Sequence, residues 1–92
     1  MSELTLEVAT SKSGMAEVRA ALDSALAKEF PGGLLSRKWA GEVLELSGPG
    51  AQGAITFEDG KLVGRAHLGP PASMMRAMIE HKIGSAMRAA AG

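Results

Sequence analysis

Along residues 3–9, ELTLEVA, apolar and polar positions alternate. Leu4, Leu6 and Val8 fall on one side and Glu3, Thr5 and Glu7 on the other. A period of two is the pattern of a half-buried strand. The polar stretch TSKSG breaks it, and the period then becomes helical. Met15, Val18, Leu22, Ala25 and Leu26 share one face, with Glu17, Ser24 and Lys28 opposite. Two residues compete to cap this helix. The Ser13 hydroxyl could accept from a first-turn amide. Gly14 as the cap would put Glu17 at the third helical position, where a carboxylate suits the positive end. Phe30 is placed to staple the last turn, and Pro31-Gly32-Gly33 ends the helix.

Period two returns over Leu34–Trp39, with Leu35, Arg37 and Trp39 on one face and Leu34, Ser36 and Lys38 on the other. A tight Ala40-Gly41 turn leads to Glu42–Ser47, in which Leu44 and Leu46 face inward. Ala54–Glu58 turns Ile55 and Phe57 inward. Asp59-Gly60 then marks a two-residue hairpin, because both residues tolerate the positive φ it requires. In Lys61–Leu68, Leu62, Gly64, Ala66 and Leu68 alternate with Val63, Arg65 and His67. The small Gly64 and Ala66 would let a helix approach the sheet. After Gly69-Pro70-Pro71, a last helix is predicted from about Pro71 to Ala89. Its apolar stripe is Met75, Ile79, Ile83 and Ala86, with Met87 at the margin. Ala77, Gly84 and Ala91 form a line of small side chains that another backbone could approach.

The predicted order is β-α-β-β-β-β-α. The last four strands have connections too short for parallel crossovers, so they are expected to be antiparallel. The expected fold class is therefore α+β, an antiparallel sheet with two helices packed on one face. The other face, carrying Thr5, Glu7, Glu45, Thr56, Glu58, Arg65 and His67, is polar enough to meet water.

At 92 residues the chain is expected to form one small domain, residues 1–92, with a modest core and no room for a deep pocket under a lid. It has no cysteine, which removes disulfide scaffolds and thiolate metal sites. The beginning lacks the basic segment and apolar run of a signal peptide, and no stretch approaches the roughly 18 apolar residues that span a bilayer. A cytoplasmic protein is expected. The formal net charge is zero, but residues 1–60 carry five Lys/Arg and nine Asp/Glu, whereas residues 61–92 carry five Lys/Arg and one Glu. Either the basic part presents a face to an acidic partner, or the two parts fold together and neutralise each other. The second is favoured.

Motifs for chemistry are absent or misplaced. Gly48-Pro49-Gly50-Ala51-Gln52-Gly53 has G-x-G-x-x-G spacing, but a strand follows it rather than the helix that a dinucleotide site needs. It is read as a glycine-rich turn. The two histidines, His67 and His81, have no third ligand placed with them. Three aromatics, Phe30, Trp39 and Phe57, leave little for base stacking. No catalytic residue, cofactor site or metal site is expected, and no nucleic-acid partner. The expectation is a protein that is not an enzyme.

The last helix carries the better candidates. Met74 and Met78 project about 100° away from its stripe. Methionine adapts to irregular apolar surfaces and is common at binding faces. The two form an exposed contact, or a neighbouring segment covers them. Arg76, Lys82 and Arg88 flank them, so the candidate surface contact is Met74, Met78, Arg76, Lys82 and Arg88.

The chain as a whole resembles the family of polyhydroxyalkanoic acid (granule-associated) system proteins. The resemblance rests on LTLEV, on GMAEVRAALDSALA ending in F-P-G-G, and on W-x-G-x-x-L-E-L-S-G from Trp39 to Gly48. It continues through G-A-x-G-x-I-x-F from Gly50 to Phe57, a strand ending Leu68-Gly69, and a final helix with Ile79-Glu80 and Ile83. These are packing and turn residues. The resemblance implies a bacterial, cytoplasmic setting and an association with storage-polyester granules or their genes, and it carries no catalytic motif. The function expected is a non-enzymatic accessory or binding protein. Its candidate partners are the polyester granule surface, a granule protein or a second copy of the chain. Two alternatives remain: a homodimeric scaffold, and a binder of small apolar ligands in a cleft lined by Leu44, Phe57 and Ala66.

Overall fold

The computed structural model describes residues 2–33 and 35–92. The strands are β1 (Ser2–Ala9), β2 (Ser36–Ala40), β3 (Val43–Gly48), β4 (Ala51–Glu58) and β5 (Lys61–Leu68). The helices are α1 (Met15–Glu29) and α2 (Arg76–Ala91), with short 3₁₀ turns at Pro31–Gly33 and Ala72–Met75. The element order is the predicted one and the fold is α+β. Leu34, assigned from the pattern to the start of the second strand, lies outside the described residues.

The strands form one antiparallel sheet in the order β1-β5-β4-β3-β2. The first strand therefore closes onto the last, with Leu4 opposite Ala66 and Leu6 opposite Gly64. Pairing continues across the sheet, Ile55 opposite Gly64 and Leu44 opposite Ile55. The β4–β5 hairpin turns at Asp59 and Gly60, with φ of 49° and 74°. The β2–β3 turn falls at Gly41-Glu42, one residue later than expected, because Ala40 pairs with Val43 and stays in the ladder.

Both helices contribute to one core against the inner sheet face. Met15, Val18, Leu22 and Leu26 of α1 are buried with Leu4, Leu44, Ile55, Leu62 and Leu68 of the sheet. Ile79, Ile83, Ala86 and Met87 of α2 complete it. Gly64 lets α2 settle onto β5: a Cβ there would lie 3.2 Å from the Met87 sulfur. Met87, expected at the margin, is fully buried. Gly84 does not admit another backbone, since its free side is occupied by the Arg88 guanidinium, and Ala77 is exposed.

Polar contacts fix the helices at their ends and across their faces. Gly14 is the N-cap of α1, and the Glu17 carboxylate accepts from both the Ser13 amide and its hydroxyl. The backbone hydrogen bond from Ser13, then that of its side chain, holds the Glu17 pKa below the usual carboxylate range. Lys82 donates to the Glu29 carbonyl at 3.0 Å, and Thr10 to the Ala91 carbonyl at 2.8 Å, so both helix C-termini receive a side-chain donor. The Trp39 indole donates to Asp23 at 2.9 Å and Arg19 lies 4.5 Å over its ring, which clamps α1 to β2.

The open sheet face carries the predicted polar residues, with Val43, Ala54 and Val63 among them. Val63 is 1% exposed although it lies outside the core cluster. It sits opposite Glu7 and Thr56, between Lys61 and Arg65 along its own strand. The ion pairs Lys61–Glu7 and Arg65–Glu58, each at 2.9 Å, close over it. Glu58 also accepts from Thr56. The Arg65 and then the Thr56 hydrogen bonds lower its pKa, while the Glu7 hydrogen bond raises that of Lys61. With Lys82–Glu29 at 3.9 Å, three ion pairs join cations of the basic C-terminal part to carboxylates of the acidic part. Three of the five cations of residues 61–92 thus face carboxylates, Lys61 on Glu7, Arg65 on Glu58 and Lys82 on Glu29.

Candidate functional site

At one end of the inner sheet face the side chains become too small to fill the space beneath the helices. Ala66 pairs with Gly53, and Gly53 with Leu46; in the next row Leu68 pairs with Ala51, and Ala51 with Gly48. Gly53 must be glycine here, because a Cβ would lie 2.6 Å from the Arg65 carbonyl and 2.8 Å from the Ala66 Cβ. At the other end of the face Leu62, Ile55 and Leu44 leave no such gap.

The result is a half-open apolar cleft of about 230 Å³. Its floor is Leu46, Ala51, Gly53, Ala66 and Leu68. Phe30 and Leu35 form one wall, and Met75, Met78, Ile79 and Ile83 the other. No lining residue among those described is charged. Of the residues expected in such a cleft, only Ala66 is there. Leu44 and Phe57 belong to the filled end, and Leu44 is fully buried. A second hollow, of about 340 Å³, lies on the opposite sheet face among Ser36, Lys38, Val43, Glu45, Gln52 and Ala54, with polar and apolar side chains mixed.

Met75 and Met78 line the cleft, and Met74 is exposed next to Met75 in the chain. Met74 is 84% exposed, Met75 47% and Met78 45%. Met75 is not in the core stripe where the helical pattern put it. Residues Ala72–Met75 wind as a 3₁₀ turn, and Met75 itself, with φ −115° and ψ 27°, is the N-cap of α2. A stripe extrapolated backwards from Ile79 at the α-helical angle therefore points Met75 the wrong way. Sequence reasoning placed Met74 and Met78 on a common surface but missed Met75, and no sequence signal marked Phe30, Leu35 or Ala51 as their neighbours.

The basic candidates are not grouped into one free face. Arg76 donates to the Glu3 carbonyl at 2.9 Å. Lys82 is engaged at the end of α1 and lies 5.9 Å over the Phe30 ring. Arg88 packs on Gly84. Among the described residues the exposed large apolar side chains are Met74, Met75 and Met78, and Met75 and Met78 share the cleft.

Other candidate chemistry is dispersed. His67 and His81 are exposed, on β5 and α2. Among the described residues no three His, Cys, Asp or Glu side chains are grouped to hold a metal ion. Gly48–Gly53 forms the β3–β4 turn and the start of β4, not a phosphate cradle at a helix. Gly50 has φ +75°, its carbonyl accepts from the Gly69 amide at 2.6 Å, and a Cβ there would strike the Gly69 and Pro70 carbonyls. The run is a structural joint between the hairpin and the α2 approach. No helix among the described residues is long and apolar enough to cross a membrane.

Neither the curated proteins nor the solved structures include one that matches this chain. A family model does match, over residues 6–90 of 92, and takes in every element from β1 to α2. The chain belongs to the family described as "Putative polyhydroxyalkanoic acid system protein".

Proposed function

We propose that the protein is a non-enzymatic accessory protein of the polyhydroxyalkanoate storage system, acting in the bacterial cytoplasm at the granule surface. Met74, Met75 and Met78 make the contact. The observation that carries this reading is the exposure of Met75 and Met78 at an uncharged cleft, with the exposed Met74 adjacent to Met75 in the chain. Exposed large apolar side chains grouped in this way mark interaction sites on small proteins, and methionine packs against irregular apolar surfaces. Family membership supplies the storage-polymer context. The absence of a titratable side chain in the described cleft lining supports a binding role over a catalytic one.

The test is co-sedimentation of the Met74→Glu/Met78→Glu variant with native polyester granules. Covering the exposed parts of the two methionines would stabilise a contact by about 3 kcal/mol, taking 1.5–3 kcal/mol for a whole side chain. Granule affinity of the folded variant is expected to fall about 100-fold. Full binding by that variant would remove these residues from the contact. The same patch would be covered in a homodimer, and light scattering across a dilution series separates the two: a species that stays monomeric at high concentration removes the dimer.

A further inference from the structure

The methionine patch is a surface, but the cleft behind it has depth, and its volume and apolar lining define an occupant. We infer that the cleft is a binding site for one aliphatic chain of about eight carbons, recognised by its tail rather than by its head group. An apolar cavity of about 150 Å³ accommodates benzene, so by scaling about nine non-hydrogen atoms fill one of this size. The cleft has a volume of about 230 Å³. The floor of Ala51, Gly53 and Ala66 is bounded by aliphatic side chains, and Ile79 and Ile83 form a continuous wall one helical turn apart.

Charge complementarity selects the same class. No charged residue lines the described cleft, and among the described residues no buried side-chain nitrogen or oxygen lacks a partner. A charged or strongly polar group inside would lose its hydration without replacement. Lys82, the nearest cation on the α2 face that carries Met78, already donates to the Glu29 carbonyl. The head group therefore stays in water at the mouth. Met75 and Met78 stand there with flexible, unbranched side chains able to close on a chain of either source, a free acyl chain or the side chain of a polymer. This inference does not require the granule reading, because it concerns a ligand in solution.

The experiment uses protein labelled at the methionine methyls, titrated with linear alcohols from butanol to decanol, with octanoate, and with methyl octanoate. Met75 and Met78 are expected to shift, while Met15, which does not line the cleft, stays still. Affinity is expected to rise about fourfold for each added methylene up to octanol and then level off as the cleft fills. Octanoate and its methyl ester, standing for the free and the esterified chain, are expected to bind within a few-fold of each other. Ala66→Leu and Ala51→Leu, two separate ways of filling the floor, are each expected to abolish the shifts in a protein that remains folded by circular dichroism. Several results would overturn the proposal: no shift at Met75 and Met78, binding of octanoate with rejection of its ester, or affinity that keeps rising beyond decanol with Met74 shifting equally. Methyl shifts that change with protein concentration alone would assign the cleft to a second copy and overturn it too.

Discussion

Replacing Met87 with alanine is expected to destabilise the fold by about 3 kcal/mol, and the same change at Met75 by about 1 kcal/mol or less. Met87 is fully buried, and the sheet position beneath it is Gly64, which has no side chain to relax into the vacated space. The cavity would persist, and the cost lies within the range for a buried methionine truncated to alanine. Met75 is 47% exposed at the mouth of an open cleft, so its truncation loses part of a transfer term and opens no enclosed cavity. The difference of about 2 kcal/mol corresponds to roughly 10 °C in Tm for a domain of this size. Urea unfolding followed by the fluorescence of the single tryptophan, Trp39, measures both. Equal losses, or a larger loss at Met75, would refute the placement of Met75 outside the core and with it the geometry of the cleft mouth.

Three further outcomes can be checked in the same way. Asp23→Ala is expected to cost about 2 kcal/mol, because it removes a charged acceptor from the half-buried Trp39 indole; it should cost little more in a Trp39→Phe background, whereas an unchanged cost there would place its origin elsewhere. Gly53→Ala is expected to cost about 2 kcal/mol by forcing β4 away from β5, read from the urea midpoint. Stability should be flat at neutral pH and fall at both extremes. Glu17 and Glu58 have lowered folded-state pKa values, so their contribution is complete above the unfolded carboxylate value and is lost as pH falls below it. Lys61 has a raised pKa, so its contribution is complete below its unfolded value of 10.5 and is lost as pH rises past the folded one. Glu58→Gln should flatten the acid limb of the melting profile.

The parts of the fold that were legible in the sequence are those with local causes. The alternation of Leu4, Leu6 and Val8, the stripe of Met15, Val18, Leu22 and Leu26, and the Asp59-Gly60 turn each follow from neighbours a few residues apart. The strand order was not legible, because period two says which face a residue occupies and not which strand lies beside it. The cleft was hidden for the same reason. It exists because Gly48, Ala51, Gly53 and Ala66 meet across three strands, and only the register brings them together. Met75 was misplaced by one assumption, that the helical angle continues back to the proline pair. The Trp39–Asp23 clamp was also unseen, since nothing in the spacing of an indole and a carboxylate on different elements announces their meeting.

The candidate site was half legible. Met74 and Met78 stood out because they fall off the α2 stripe, and they are exposed. The flanking cations were drawn into the site by proximity in sequence, but Arg76 and Lys82 turn to backbone carbonyls of β1 and α1. An apolar contact with little electrostatic contribution is what the arrangement supports.

Co-sedimentation of the purified protein with native polyester granules, at low salt and at about 1 M salt where screening acts within roughly 3 Å, tests that claim most directly. The account predicts binding that survives high salt, because the methionine patch and the uncharged cleft mouth make the contact. Binding that disappears in high salt would move the contact to Arg76, Lys82 and Arg88, and no binding in either condition would contradict granule association itself.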